Sequence, residues 1–434
     1  MRITLLLGTT LLAWSLRTPW LQARRSPAVL RINPSSVTAA IKKSASYAPD
    51  PRALNGMLTK TTSARELLEL HAQYGSVFDH VNLATCWSRL GRVRAGGERR
   101  WLLSDGGARL GDLREQTSER VRRFDARGLS STAHALAKLS LRGTAWASLW
   151  NDIERAALAR RRKFEPMALA TTAWAFATAD HAAPALFEAI AEEASGRVHE
   201  FNPQALANTA WAFATAGHAA PALLEAIAEE AARRVREFIP QALASTAWAY
   251  AASNHYAVES TLFDQRFARH CDALAHEFNS KDLRQLHQWR LWYKFERGCS
   301  DGLPGAALLA RCDAAFRASE VTVSRLQRQV AETLVLLGAS VQEEVVLQEG
   351  YSLDLVVDWR GERLAVEVDG PSHFVGREPT SATRLKRRQL EHFGWWLVSV
   401  PYWEWDELGD KKTTREQRAV YLSTLLDEAL RQAV

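Results

Sequence analysis

The apolar positions between residues 164 and 254 recur with a fixed offset. Phe164, Leu169, Ala173, Trp174 and Phe176 return as Phe201, Leu206, Ala210, Trp211 and Phe213. They return again as Phe238, Leu243, Ala247, Trp248 and Tyr250, each step being 37 residues. Within a copy, Leu206, Ala210, Trp211 and Phe213 fall at helical spacing, so they make one buried stripe. A break at Ala216–His218 follows, and Pro221 opens a second helix that runs to Arg236. A proline in the first turn costs no hydrogen bond, because that N–H has no partner in a helix. Such a pair cannot bury both faces alone, and copies at a constant period must stack. The pattern predicts an α-solenoid of helical-pair repeats over residues 65–300. Weaker copies run from Phe124 to Leu139, with His134 in the tryptophan position, and from Phe278 to Trp292. A degenerate unit with Trp87 precedes them.

The alanines let neighbouring helices approach closely, and the tryptophan of each copy is expected to fill the gap between pairs. A ring on which a base stacks is the alternative. The seventh position after the phenylalanine is Ser131, Thr171, Asn208, Ser245 and Gln285. It is always polar and changes shape while its flanks barely change, as in readers that take one base per repeat. An ordinary solvent-facing position is the other reading.

The pattern changes after Gly305. A helix (Ser319–Leu337) is expected to lead into alternating strands at Glu344–Gln348, Tyr351–Asp358 and Arg363–Asp369. A basic helix (Ala382–Phe393), a strand (Trp395–Val400) and an amphipathic helix (Thr414–Gln432) complete an α/β module over residues 319–432. Alternate residues share a strand face, so Glu367 and Asp369 point the same way and Asp354 is expected to join them. Three such carboxylates can take one divalent cation. Arg384, Lys386, Arg387 and Arg388 on the basic helix offer donors to a phosphate backbone.

Charge sharpens this picture. The formal net charge is +6, but residues 1–49 carry seven Lys and Arg and no acid, so the remainder is close to neutral. An acid-free, Arg- and Ser-containing start reads as an organelle-import leader over residues 1–50, of mitochondrial or plastid type. Its apolar run, Leu5–Trp14, falls short of the roughly 20 residues of a bilayer span, and no membrane partner is expected. Residues 84–163 hold eighteen basic and eight acidic side chains, with Arg160, Arg161, Arg162 and Lys163 the densest point. Phosphate contacts should therefore concentrate at the start of the array. Residues 164–254 are acidic, with four basic side chains against ten. The four scattered cysteines have neither disulfide nor zinc spacing.

The strings from Glu367 to Phe374 (EVDGPSHF), Thr383 to Trp395 (TRLKRRQLEHFGW) and Val400 to Trp405 (VPYWEW) resemble a RAP domain, with its core at residues 340–408. The resemblance implies a restriction-endonuclease-like fold and an RNA-binding role. Helical repeats ahead of such a domain are similar to octotricopeptide-repeat and FAST-kinase-like proteins, which act on organellar transcripts. The implied partner is single-stranded organellar RNA, with RNA-processing proteins as further partners. The implied role lies in processing, stability or translation of transcripts. Nucleases of this fold place an Asp on one strand and Glu-x-Lys on the next. Asp354 and Glu367 match, but Asp369 stands where the lysine belongs, leaving Lys386 to supply the charge and His373 a proton. A metal-dependent endoribonuclease would use these five residues, with Mg²⁺ or Mn²⁺ on Asp354, Glu367 and Asp369. In the metal-free alternative Glu367 and Asp369 accept bonds from the Gly370–Phe374 turn and from Lys386 or Arg387, and RNA rests uncleaved on the basic helix. No other cofactor is implied, and a protein-interaction scaffold is the remaining alternative.

Overall fold

The structure, a computed structural model, describes residues 49–93, 96–104, 106–255, 262–318, 323–409 and 412–432. The expected leader lies outside these residues except for its last two positions. Helices α1 (Pro51–Lys60), α2 (Ala64–Tyr74), α3 (His80–Leu90), α4 (Gly97–Leu103) and α5 (Gly107–Arg120) come first. Pairs follow: α6 (Ala126–Lys138) with α7 (Thr144–Leu158), α8 (Pro166–Thr178) with α9 (Pro184–Ser195), and α10 (Pro203–Ala216) with α11 (Pro221–Arg233). Next come α12 (Pro240–Ser253) with α13 (Gln265–Ala273), then α14 (Ser280–Leu291) and α15 (Ala306–Arg317). Helices α1, α3, α6, α8, α10, α12, α14 and α15 pack in series as one row, and α5, α7, α9 and α11 pack as a second. The array therefore extends past 65–300 at both ends.

Each repeat is built by the same local devices. Pro166, Pro203 and Pro240 open the first helices, and the side chains of Asp125, Asn202 and Asn279 cap theirs. A three-residue 3₁₀ turn precedes each of Phe124, Phe164, Phe201, Phe238 and Phe278, all buried. Burying one such ring contributes about 1.5–3 kcal/mol. An equivalent donor in the next copy then bonds the phenylalanine carbonyl. Arg197 Nη1 reaches Phe164 O at 3.1 Å, Arg234 Nη1 reaches Phe201 O at 2.8 Å, and His270 Nε2 meets Phe238 O at 2.9 Å. Arg120 does the same to Phe78 O. This bond recurs at four phenylalanine carbonyls over a continuous apolar core, while at the Phe124 copy Arg160 reaches Arg122 O instead.

The C-terminal module contains α16 (Arg325–Leu336), β1 (Ser340–Val346), β2 (Ser352–Trp359) and β3 (Glu362–Asp369). A short hairpin follows, β4 (Phe374–Val375) with β5 (Glu378–Pro379), then α17 (Ser381–His392), β6 (Trp396–Pro401), α18 (Tyr402–Glu407) and α19 (Lys412–Gln432). The sheet order is β1-β2-β3-β6, antiparallel through β3, with β6 returning parallel to β3 after the α17 crossover. One sheet face packs Leu355, Val357, Leu364 and Val366 against Val330, Leu334, Leu422 and Leu426. The other packs Leu353, Val356 and Ala365 against Leu390 of α17 and Leu291 of the array. The hairpin and α18 were not expected from the sequence, because two-residue strands and a six-residue helix are too short to display a period. The first strand begins at Ser340 rather than Glu344, directly after the turn at Gly338, whose φ of 84° suits a residue without Cβ.

The module docks on the array through α17, which packs against α10 and α12. Arg388 Nε pairs with Glu296 at 2.6 Å and its Nη2 donates to Ala251 O at 2.5 Å. Gln389 Nε2 donates to Gln288 O at 2.9 Å, and Gln288 Nε2 donates to Tyr351 OH at 3.1 Å. The Tyr351 hydroxyl donates to Gln389 Oε1 at 2.6 Å, closing a ring of bonds across the interface. Burial pushes His287 down to about 4, so a neutral ring meets Glu349 O at 2.8 Å. Gly217 ends α10 with φ 65°, and a Cβ there would lie 2.4 Å from Arg384 Nη2. Glycine serves that position twice, for its backbone and for the close approach of α17.

Candidate nucleic-acid interface

The first helices of the repeats present one face to an open groove. Arg92, Arg127, Lys138, Ser131, Thr171 and Asn208 line it together with His134, Trp174, Gln204 and Gln241. Adjoining clefts share Arg127 with it and add Arg89 on one side and Arg123, Arg160 and Lys163 on the other. The surface is continuous and basic. Arg92, Arg123, Arg127, Lys138 and Lys163 form no ion pair among the described residues, so their charge is available to a polyanion.

The variable position divides into two groups. Ser131, Thr171 and Asn208 are partly exposed in the groove, and Asn208 Oδ1 accepts from Gln204 Nε2 at 2.9 Å, leaving its own NH₂ unengaged. Ser245 and Gln285 are buried, at 8% and 7% exposure, where α14 packs on α12. A buried side chain cannot meet a base edge without rearrangement, so the open positions are the first three. One helical turn earlier stand Arg127, Met167, Gln204, Gln241 and Lys281, which the sequence reading did not single out. Comparing copies at this second position would have found them, since they also vary between flanks that stay constant across three of the copies.

The basic cluster at 160–163 splits as well. Arg160 donates to Arg122 O and Ala156 O while lining the cleft with Lys163. Arg161 and Arg162 approach Glu193 at 4.0 and 3.8 Å, away from the groove lining.

The helix expected to grip phosphate is differently employed. Arg384 donates to Pro379 O and Ser381 Oγ, at 2.7 and 2.8 Å. Lys386 Nζ pairs with Glu367 at 2.5 Å, and Arg387 Nη2 pairs with Asp369 at 2.5 Å. Arg388 is held in the docking interface by Glu296. The reason is tertiary: α17 crosses directly over the sheet face that carries the acids.

Those acids do converge. The register Leu355↔Val366 sets Asp354 beside Glu367, and Asp369 follows on the same face of β3. Burial raises Asp354, against Lys386 and the Val368 N–H that reaches its Oδ2 at 2.8 Å. Burial pushes Glu367 up to about 7 even with Lys386 beside it. Burial would raise Asp369 too, but bonds from His373 and Ser399 and the Arg387 charge outweigh it and hold it below its ordinary range. The bond to Asp369 in turn raises His373, whose Nδ1 lies 3.1 Å from Asp369 Oδ1. A metal on Asp354, Glu367 and Asp369 would compete with Lys386 and Arg387 for the same carboxylates. No three His, Cys, Asp or Glu side chains among the described residues group so as to hold a metal ion. Donors of the chain meet Asp354 Oδ2, Glu367 Oε2 and both oxygens of Asp369, while Glu367 Oε1 is buried with no partner among the described residues. Asp354, Glu367, Asp369, His373 and Lys386 form one ionic network beneath α17.

Residues 366–425 match the RAP domain family, so the C-terminal module carries a RAP domain. A stretch of 95 residues is 38% identical to a protein of Oryza sativa subsp. japonica named "RAP domain-containing protein, chloroplastic". That stretch is 21% of this chain and 14% of the relative. The helices packed in series ahead of the domain agree with the repeat array read from the sequence. No helix among the described residues is long and apolar enough to cross a membrane.

Proposed function

We propose that this protein binds single-stranded RNA in an organelle and acts on the processing, stability or translation of particular transcripts. The observation that carries the reading is the basic groove over α3, α6, α8 and α10, in which unpaired cations flank polar side chains that differ from repeat to repeat. Fixed positive charge positions a phosphate backbone, and variable polar groups meet base edges. The RAP domain and the chloroplastic name of the rice relative support RNA as the ligand and an organelle as the place. The RAP module anchors one end of the array and is the surface offered to RNA-processing proteins. The leader over residues 1–50 delivers the chain, and a reporter fused to it tests that step.

Binding should weaken as salt rises. Each phosphate contact on a single strand contributes a slope of about −0.7 in log K against log salt. The five unpaired cations of the groove therefore set a slope no steeper than about −3.5. Filter binding or anisotropy over a salt series measures it, and affinity indifferent to salt would remove RNA as the ligand.

Asn208→Ser should change base preference at one position of the bound RNA, by roughly 1–3 kcal/mol for a lost amide contact, with folding intact. Selection from a randomised RNA pool, compared between the two proteins, reads this out. An identical selected motif would return Asn208 to an ordinary surface role.

A further inference from the structure

Two groups of tryptophans in this chain contrast. Trp87, Trp150, Trp292 and Trp405 are buried to within 1% exposure, and each indole N–H donates a bond within the protein. A packing tryptophan usually behaves so, although the fully buried Trp289 has no partner for its N–H among the described residues. Trp174 and Trp211 are only half-buried, and neither indole N–H bonds to any described residue. They are nonetheless held in a regular row. His134 and Trp174 have ring centroids 5.2 Å apart and inclined by 40°. Trp174 and Trp211 are 6.5 Å apart at 31°, and Trp211 and Trp248 are 6.4 Å apart at 35°. Burial, then Lys138 and Arg92, lower His134 and favour its uncharged ring.

The row lies along the groove: His134 and Trp174 line it beside Ser131, Thr171 and Asn208. At its far end the row closes, because Trp248 is buried and its N–H donates to Gln288 Oε1 at 3.0 Å. Gln288 takes the ring position in the next copy and bonds onward to Tyr351 of the RAP module. A Lys281 ammonium lies 6.0 Å over the Trp211 ring, placing a cation beside the row.

We propose that His134, Trp174 and Trp211 form an aromatic rail on which the unpaired bases of a single strand stack, while the flanking cations hold its phosphates. This rests on the RNA-binding reading and narrows it. Duplex RNA, whose bases are hidden, should bind through phosphates alone. Stacking tolerates any base, so the rail supplies affinity and leaves choice to the polar positions above it.

The test compares the full chain with Trp174→Leu, Trp211→Leu and Trp174→Phe. The probes are a single-stranded RNA, the same strand with abasic sites, and a duplex. Each leucine variant should bind the single strand roughly 5- to 150-fold more weakly, with the salt slope and the abasic and duplex affinities unchanged. Trp174→Phe should keep most of the affinity. The rail is overturned if the leucine variants bind the single strand as the parent does, or lose all three probes equally while their thermal melting is unchanged. It is overturned too if the parent binds duplex and single strand alike. Should a leucine variant fail to fold, the parent's ratio of intact to abasic affinity decides, and a ratio near one sinks the proposal. A parent that binds no RNA defeats the underlying reading instead.

Discussion

Lys386→Ala should cost about 3–5 kcal/mol at pH 8, the loss seen when one partner of a buried ion pair is removed. Glu367 is 3% exposed and Lys386 is the cation bonded to it, so the variant strands a carboxylate in the interior. The loss should shrink toward pH 5. Glu367 sits at about 7 when folded against an ordinary value of 4.5, so over that window the folded chain holds a proton that the unfolded chain has released. Stability of the parent therefore falls as pH rises from about 4.5 to about 7 and levels off above. His373, also raised, acts in the same direction. Without Lys386 the Glu367 carboxyl is raised further, and the falling limb extends to more alkaline pH. Adding Glu367→Gln should restore most of the loss, because an amide carries no charge to desolvate. Urea denaturation at pH 5 and pH 8 measures all three proteins, and an equal loss at both would show that the pair is not the cause.

Arg92→Ala combined with Arg127→Ala should lower affinity for single-stranded RNA roughly a hundred-fold. Each charge-assisted contact contributes about 1.5 kcal/mol or more, and two such losses reach about two decades. The salt slope should shrink by about 1.4. Both side chains are exposed, and neither forms an ion pair among the described residues, so folding should be unchanged. Arg387→Ala makes the contrast. That residue holds Asp369 and Ser399, so its loss should lower the melting temperature with little change in salt slope. If Arg387 carried the larger slope, the α17 helix would be the phosphate contact and the groove would not.

The repeat array was legible because its signal is redundant. Trp174, Trp211 and Trp248 recur at one interval with the same alanine frame, and a unit repeated several times survives ambiguity in any one copy. The RAP strings were legible for a different reason, their long specific spelling from Glu367 to Trp405. The convergence of Asp354, Glu367 and Asp369 followed from strand alternation, which needs only a local rule. What occupied those carboxylates stayed open between a divalent cation and bonds from Lys386 or Arg387, because sequence shows charge without showing its neighbours. In the fold the crossover lays α17 on the acid face, and its cations are neutralised by Glu367, Asp369 and Glu296.

The ring row shows the same division. That four copies carry an aromatic ring ten positions after the phenylalanine, His134, Trp174, Trp211 and Trp248, was visible, and packing was the natural explanation. Only the stacked array distinguishes Trp248, sealed by Gln288, from Trp174 and Trp211, whose N–H groups are left unbonded. Likewise Ser245 and Gln285 were indistinguishable from Ser131 until the packing of α14 on α12 buried them. Periodicity, caps and turns depend on neighbours within a few residues, so the chain alone determined the repeat, the solenoid and the α/β module. Exposure and charge pairing depend on residues brought together from as far apart as Glu296 and Arg388, and only the tertiary structure decided which cations and which rings remain free to meet a ligand.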